Sequence, residues 1–228
     1  MYNFLSEIQK PKMSELWDNK EDESWENASK QIIIGITGSI GSGKTTVAKL
    51  FGRHWYNRID ADEIGHEIIK KNSFAYKKII KEFGNKILDK NRNINRNKLG
   101  DVVFNNDKTL KKLNSITHPI IIKEIKNQIK KIKQKCGDKP KIVIDAPLLL
   151  ETNTKGLVDK IIVVKCDKEN IIKRLNRKYP KTKIERILKS QMPPDKKLKY
   201  ADFVIENNRD LRHLEKQVTN IIKKVEDK

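Results

Sequence analysis

The residues of this chain that could do chemistry begin with a glycine-rich segment of the form GxxxxGK[ST] at residues 38–45. Gly38, Gly41 and Gly43 would let successive backbone N–H groups turn toward one point, where they can bind phosphate oxygens. Lys44 would reach the β- and γ-phosphates, and the hydroxyl of Thr45 would hold Mg²⁺. A chance match is improbable because the chain has only 10 glycines among 228 residues. The segment therefore predicts a site for ATP with Mg²⁺.

The segments on either side of this loop have the patterns that a phosphate-binding loop requires, a strand before it and a helix after it. Residues 32–36 form an apolar run that predicts a strand, and residues 45–51 predict a helix. The helix would present its positive N-terminal end to the bound phosphates. The residues predicted to bind the nucleotide are Gly38, Ser39, Gly41, Ser42, Gly43, Lys44, Thr45 and Thr46.

Three acidic residues follow predicted strands further along the chain. Asp60 and Asp62 end a short strand predicted at residues 56–59, and two carboxylates one residue apart on a strand would point the same way. Asp62 also fits the N-cap of the helix predicted at residues 63–69. Asp145 ends an apolar strand at residues 141–145, where it would either reach Mg²⁺ through water or cap the next turn. Thr45, Asp62 and Asp145 are thus the predicted metal-site residues.

Strands alternate with helices along the chain, which predicts an α/β P-loop fold with three layers and a parallel central sheet. Residues 64–138 are nearly all helical in pattern and predict a helical substrate subdomain inserted after the second strand. We expect His118-Pro119 to break this helical segment, because the residue before proline is disfavoured in a helix. Later strands are predicted at residues 160–164 and 201–207, with a final helix at 211–225.

A helical lid is predicted at about residues 174–195. The helix that begins at Lys168 would carry Arg174 and Arg177, whose spacing of three places them on one helical face. A lysine-rich helix follows, interrupted by Pro180 and bounded by Pro193-Pro194. Ligands of parallel α/β sheets bind at the carboxyl ends of the strands, so the glycine-rich loop and the acidic residues should converge there.

Composition limits the other possibilities. The net charge of +20 comes from 41 lysines and 9 arginines spread over every segment, which indicates a compositional bias that also attracts small phosphorylated substrates. Residues 1–30 instead carry a net charge of −3 and form an acidic extension, either a short helix or a disordered tail. An NKxD pattern at residues 19–22 precedes the first strand and is discounted as a base-recognition motif.

No targeting segment, membrane span, disulfide framework or zinc site is predicted. The extension is too acidic for a transit peptide and lacks the apolar region of a secretory signal, and no apolar run approaches about 20 residues. Cys136 and Cys166 lie far apart without metal-ligand spacing, which fits free thiols in a reducing compartment. We therefore expect a cytoplasmic protein without a membrane partner, and a monomer is favoured.

From residue 32 to residue 225 the order and spacing of the motifs resemble the dephospho-CoA kinase family. The phosphate loop alone is shared by many kinases, whereas the order of DAD, HP and PLLxE is far more specific. The matching motifs include GITGSIGSGKTTVA at residues 35–48, IDAD at 59–62, HP at 118–119, PLLLE at 147–151, Arg174 with Arg177, Arg186 with Gln191, and AD with IEN at 201–207.

The resemblance implies ATP-dependent phosphorylation of the ribose 3′-hydroxyl of dephospho-CoA, the last step of coenzyme A biosynthesis. It implies that Asp62 is the catalytic carboxylate, acting with Lys44 and with the lid residues Arg174 and Arg177. The residues implied to bind the substrate are Asp60, Arg96, His118 and Glu151. The sequence departs from the family at residues 54–58, which lack the usual glycine, and in its acidic extension.

Two other functions remain open from the sequence. One is a different P-loop kinase, acting on a small metabolite or a nucleoside monophosphate, because the acceptor pocket would lie in the variable helical insert. The other is a basic, nucleotide-dependent protein that binds nucleic acid. That function predicts clustered arginines and exposed aromatic residues, but aromatic residues make up only 6% of the chain. We therefore expect no obligate nucleic-acid partner.

Overall fold

The computed structural model of the protein describes residues 31–104, 106–137 and 139–227. The acidic extension, with its predicted short helix or tail and its NKxD pattern, lies outside the described residues. Within them, no helix is both long enough and apolar enough to cross a bilayer.

Five parallel strands form one central sheet in the order β2-β3-β1-β4-β5. The glycine-rich loop leaves the central strand, β1, and the predicted α/β fold class is confirmed. The strands are β1 (Ile32–Gly38), β2 (Asn57–Asp60), β3 (Lys141–Asp145), β4 (Lys160–Lys165) and β5 (Phe203–Glu206).

Helices follow β1, β2, β4 and β5, whereas β3 leads through a loop and a 3₁₀ turn to β4, and helices cover both faces of the sheet. The first, α1 (Lys44–Arg53), and the last, α9 (Leu211–Glu226), pack on one face around Phe51, Val143 and Ile162. The other face is covered mainly by α5 (Asp107–Cys136), through Ile125 and Ile129. The remaining helices are α2 (Ala61–Ile68), α3 (Phe74–Phe83), α4 (Arg96–Val103), α6 (Lys168–Leu175), α7 (Lys181–Ser190) and α8 (Pro194–Leu198), with 3₁₀ turns at Asn85–Ile87 and Asn153–Leu157.

A third apolar cluster, which we call the insert core, lies among the helices between β2 and β3. Its buried members are Ala75, Tyr76, Ile79, Phe83, Ile87, Leu88, Leu99 and Val103. The 30-residue helix α5 links the two cores, because Ile116 and Ile120 pack against the insert core while Ile121 and Ile125 pack beneath the sheet.

The predicted break at His118-Pro119 is wrong. Pro119 lies inside α5, which continues for 17 residues beyond it. A proline in a helix interior costs about 3 kcal/mol because it lacks a backbone donor and its ring crowds the preceding turn. Partial burial of Ile116 and Ile120 on one side and full burial of Ile125 on the other oppose that cost, so tertiary packing overrides the local preference.

Proline placement in the lid also differs from the prediction. Pro180 does not interrupt the lysine-rich helix but is the N-cap residue of α7, and Pro193 is the N-cap residue of α8. At this position the fixed φ of proline is compatible with the start of a helix and no helical hydrogen bond is lost. The two prolines therefore define where the helices begin.

Candidate active site

The glycine-rich loop takes a path that requires its glycines. Gly38 has a φ of +153° and a Cβ there would lie 2.4 Å from the carbonyl oxygen of Val164. Gly43 has a φ of +96° and a Cβ would lie 2.0 Å from Nδ2 of Asn207. Gly43 is also the N-cap of α1, and it has no side chain that could accept hydrogen bonds from the helix amides. The first N–H groups of α1 are therefore free to bind an anion at the loop.

Lys44 is held under this loop with only 7% of its surface exposed. Its Nζ donates a hydrogen bond to the carbonyl oxygen of Ser39 at 3.1 Å. Burial lowers the pKa of Lys44, and the negative charges of Asp145 and Asp62 oppose that shift. A cation with little surrounding water interacts strongly with a phosphate placed at the loop.

Asp145 lies at the carboxyl end of β3, facing α1. Its Oδ2 accepts a hydrogen bond from the hydroxyl of Thr45 at 2.8 Å and lies 3.3 Å from Nη2 of Arg58. Its Oδ1 is buried and has no partner among the described residues, so Asp145 does not cap the turn after β3. A free carboxylate oxygen beside a hydroxyl is a donor set that suits Mg²⁺. The residues present therefore fit the predicted ion.

The prediction that the two acids of the DAD motif share a strand face is wrong, and so is the prediction that Asp62 is the N-cap. The helix α2 begins at Ala61, and Asp60 caps it by accepting hydrogen bonds from the amides of Asp62 at 3.0 Å and Glu63 at 3.1 Å. Asp60 also forms an ion pair with Arg58. Because the capping falls to Asp60, the carboxylate of Asp62 is left available to the site.

Asp62 faces a large cavity from the first turn of α2. Desolvation by the surrounding protein raises the pKa of Asp62, an effect opposed by the positive charge of Lys44 and reinforced by the negative charges of Asp60 and Asp145. The side chain nevertheless remains accessible from the cavity. A carboxylate that is partly dehydrated yet accessible is suited to accept a hydrogen bond, and then a proton, from a hydroxyl group.

The cavity has a volume of about 740 Å³ and lies between the glycine-rich loop, the insert and α7. Its walls combine apolar residues such as Leu99, Val103 and Leu110 with polar groups that converge from several elements. This is the size and composition of a small-molecule site. The polar and charged lining residues are Lys44, Asp62, His66, Arg96, Asn97, Asn114, His118, Glu151, Tyr179, Lys183, Ser190 and Gln191.

Arg96 and His118 lie on the insert side of this cavity. Arg96 is the first residue of α4, is exposed, and has no side-chain partner among the described residues. His118 projects from the middle of α5, where burial lowers its pKa and the charge of Glu151 partly offsets the shift. The structure thus brings both residues to the same cavity as Lys44 and Asp62.

Glu151 reaches the cavity from the end of the segment at residues 146–151, which we call the post-β3 loop. Its Oε1 accepts a hydrogen bond from the amide of Met192 and lies 2.9 Å from Nζ of Lys197. Its Oε2 is buried without a partner among the described residues. Glu151 therefore joins the post-β3 loop to the segment that follows α7.

The two predicted lid arginines are not on one helical face. The helix α6 ends at Leu175, so Arg177 lies beyond it, exposed and without a partner among the described residues. Arg174 lies on α6 and donates to the carbonyl oxygen of Asn207 at 2.8 Å and, more weakly, to those of Gly41 and Ser42. Its guanidinium group borders the glycine-rich loop.

Four other side chains support the site and were not among the predicted site residues. Gln191 accepts a hydrogen bond from the amide of Ile40, and Asn207 donates to the carbonyl oxygen of Ser42 at 2.7 Å. Both residues belong to motifs of the family resemblance, which could have indicated them. Arg58 and Lys197 carried no local signal, because their roles depend on partners distant in the sequence.

The turn before β2, where the usual glycine is missing, contains an exposed tryptophan. Trp55 has a φ of +65° and is 84% exposed. Glycine adopts this left-handed conformation without strain, whereas a residue with a Cβ does not. The turn therefore keeps the backbone shape expected of glycine although the residue is different.

Comparisons with known proteins agree with this arrangement. The family model described as dephospho-CoA kinase matches residues 32–213. The chain is 45% identical over 192 residues to a dephospho-CoA kinase of Fusobacterium nucleatum, covering 82% of this chain and 95% of that protein. It is 40% identical over 195 residues to one of Bdellovibrio bacteriovorus, covering 85% and 96% of the two chains.

A solved structure also superposes on the fold. The dephospho-CoA kinase of Campylobacter jejuni matches with a TM-score of 0.61 and 29% identity, covering 86% of this chain and 97% of that chain. The family match covers the glycine-rich loop, the DAD motif, the insert and the segment predicted as a lid. With a family model that spans most of its length and relatives above 30% identity, the chain belongs to the dephospho-CoA kinase family, whose members are ATP-using kinases.

Proposed function

We propose that this chain transfers the γ-phosphate of ATP to the ribose 3′-hydroxyl of dephospho-CoA, which gives coenzyme A and ADP. The observation that carries the proposal is the position of Asp62, which faces the same cavity as Lys44 while the insert supplies Arg96 and His118. The loop and the insert then bind the donor and the acceptor from opposite sides. Family membership makes dephospho-CoA the acceptor in preference to another small metabolite.

On the donor side, the amides of the glycine-rich loop and of α1 bind the phosphates. Lys44 neutralises charge on the β- and γ-phosphates, and Arg174, which borders the loop, adds positive charge from the lid. Thr45, Asp145 and Asp62 would hold Mg²⁺. The ion would neutralise the negative charge on the phosphate oxygens during transfer.

On the acceptor side, Asp62 orients the 3′-hydroxyl. The oxygen of that hydroxyl forms a bond to the γ-phosphorus while the bond from this phosphorus to the bridging oxygen of ADP breaks. The hydroxyl proton passes to Asp62 late in the step, because the transition state is loose and a full negative charge on the nucleophile is not needed. Arg96 binds the anionic part of dephospho-CoA, and His118, Asp60 and Glu151 complete the acceptor site or hold its shape.

An acceptor panel tests this function. Purified protein with ATP and Mg²⁺ is offered dephospho-CoA, nucleoside monophosphates and shikimate, and the products are identified by mass spectrometry. We expect 3′-phosphorylation of dephospho-CoA to dominate. Preferred phosphorylation of a nucleoside monophosphate or of shikimate would refute the proposal.

The same assay tests the donor site with two lysine variants on α1. Lys44→Ala should lose ATP-dependent activity, because the phosphates then lack their buried cation. Lys49→Ala is the matched control, since Lys49 is an exposed lysine of the same helix and its variant should retain normal turnover. Full activity of Lys44→Ala would overturn the assignment of the glycine-rich loop as the donor site.

A further inference from the structure

Lys197 is a fully buried lysine that none of the roles above explains. Its side chain is 0% exposed, and it extends from the short helix α8 toward the back of the cavity wall. Lysine is almost never fully buried unless its charge is paired. The contacts of its ammonium group therefore show what it does.

The ammonium group of Lys197 binds the post-β3 loop at both ends. Its Nζ lies 2.8 Å from the carbonyl oxygen of Pro147 and 2.9 Å from Oε1 of Glu151. A longer contact of 3.5 Å reaches the hydroxyl of Thr37, which itself donates to the oxygen of Pro147 at 3.0 Å. Pro147 and Glu151 line the cavity, whereas Lys197 lies behind them.

The same carboxylate joins this network to the lid. Oε1 of Glu151 accepts a hydrogen bond from the amide of Met192, next to Gln191, whose side chain binds the amide of Ile40 in the glycine-rich loop. Oε1 is thus fully engaged, while Oε2 is buried without a partner among the described residues. Glu151 lines the cavity, and a carboxylate oxygen that lacks a partner beside a cavity can accept a hydrogen bond from a bound ligand.

We infer that Lys197 is a positioning residue for the acceptor: it fixes the post-β3 loop and holds the Glu151 carboxylate so that Oε2 receives a donor group of dephospho-CoA. This inference rests on the proposed function, because it names the acceptor that the wall contacts. Lys197 does not touch the substrate. It acts through Glu151, and the nucleotide side should respond much less because the glycine-rich loop is linked to this carboxylate only indirectly, through Met192 and Gln191.

A cycle of substitutions tests whether Lys197 acts through Glu151. The proteins compared are the wild type, Lys197→Met, Glu151→Gln, the double variant, and Lys196→Met, a control at an exposed lysine of the same helix. KM for dephospho-CoA, KM for ATP and kcat are measured, together with calorimetric binding of dephospho-CoA alone.

We expect Lys197→Met to raise KM for dephospho-CoA by about tenfold or more, which is the effect of losing one charged hydrogen bond. KM for ATP should change by less than about threefold. The double variant should equal Glu151→Gln in KM for dephospho-CoA, because residues that act as a unit are not additive. Lys196→Met should match the wild type.

Lys197→Met could leave Glu151 as a buried unpaired charge and fail to fold. The double variant removes the unpaired charge, so its comparison with Glu151→Gln then decides the question. Equal KM values for dephospho-CoA support the inference, and a further loss of about tenfold in the double variant overturns it. A folded Lys197→Met with wild-type KM, or with equal losses for ATP and dephospho-CoA, overturns it as well.

These outcomes are separate from failure of the proposed function. If the wild type does not phosphorylate dephospho-CoA, the proposed function fails before any variant is compared. If the wild type does so and the Lys197 variants behave like it, only the positioning role fails.

Discussion

Substitution of Asp62 should separate catalysis from stability, because the structure assigns the two neighbouring acids of the DAD motif different tasks. Asp62 caps no helix and faces the cavity. Asp62→Asn keeps the size of the side chain but cannot accept the hydroxyl proton. We expect kcat to fall by about 10²–10⁴-fold, the usual contribution of a positioned general base.

The free energy of unfolding should not fall in Asp62→Asn, because the raised pKa of Asp62 shows that its charge is unfavourable in the folded chain. A substitution that removes neither a cap nor a buried contact typically changes it by no more than about 0.5 kcal/mol, which is a shift of about 1–2 °C in Tm for a chain of this size. KM for ATP should also stay near the wild-type value, because Lys44 and the loop amides bind the phosphates.

Asp60→Ala should show the opposite stability result. It removes the N-cap of α2, which contributes about 1 kcal/mol to stability. It also removes the ion pair with Arg58, in which the Asp60 side chain is 18% exposed and that of Arg58 is 24% exposed; this pair contributes about 1 kcal/mol. The sum of about 2 kcal/mol corresponds to a loss of about 4–8 °C in Tm. Loss of the cap also leaves the amides of Asp62 and Glu63 without their acceptor.

The assay combines steady-state kinetics with thermal unfolding at matched protein concentration. Glu63→Gln is the control, because it removes one negative charge from an exposed position in the same helical turn and should leave kcat and Tm unchanged. Near-normal turnover of a folded Asp62→Asn would remove Asp62 from the catalytic role. A fall in Tm equal to that of Asp60→Ala would show that Asp62 is structural.

Two further predictions concern the turn before β2 and the middle of α5. At position 55, where φ is +65°, Trp55→Gly should be more stable than Trp55→Ala by about 1 kcal/mol; urea unfolding measures the difference, and equal stabilities would contradict the strained turn. Burial lowers the pKa of His118 below 6.5, so as pH falls through this range the unfolded chain takes up a proton that the folded chain does not. The wild type should therefore lose stability below pH 6.5 faster than His118→Gln, by up to about 1.4 kcal/mol per pH unit; parallel curves of Tm against pH would refute this.

The sheet could be predicted from the sequence because its signals are local. The strand at residues 141–145 has the predicted bounds, and the final helix extends one residue beyond the predicted 211–225. Continuous apolar runs mark strands that are buried on both faces, and a regular helical period marks a helix that covers one face. The glycines of the loop were equally informative, because the backbone there can be formed by few other residues.

The errors in the site arose where two local signals compete and tertiary contacts decide between them. Asp60 and Asp62 are equally good capping residues by type, and the register of β2 beside β3 places the helix start after Asp60. Pro119 should end a helix, yet burial on both sides keeps α5 continuous. Arg177 matched the spacing of Arg174, but α6 ends before it.

Lys197 marks the limit of what local patterns can indicate. This fully buried lysine has the same local sequence signal as exposed lysines such as Lys196, because its burial follows from a carboxylate that the fold brings from the post-β3 loop. Packing alone does not require this pair, since replacing a buried ion pair with apolar residues is often neutral or stabilising. An apolar pair would fill the space behind the cavity but would leave no carboxylate at its wall. The lysine is therefore best explained by the demand for a fixed, charged group on the acceptor side of the site.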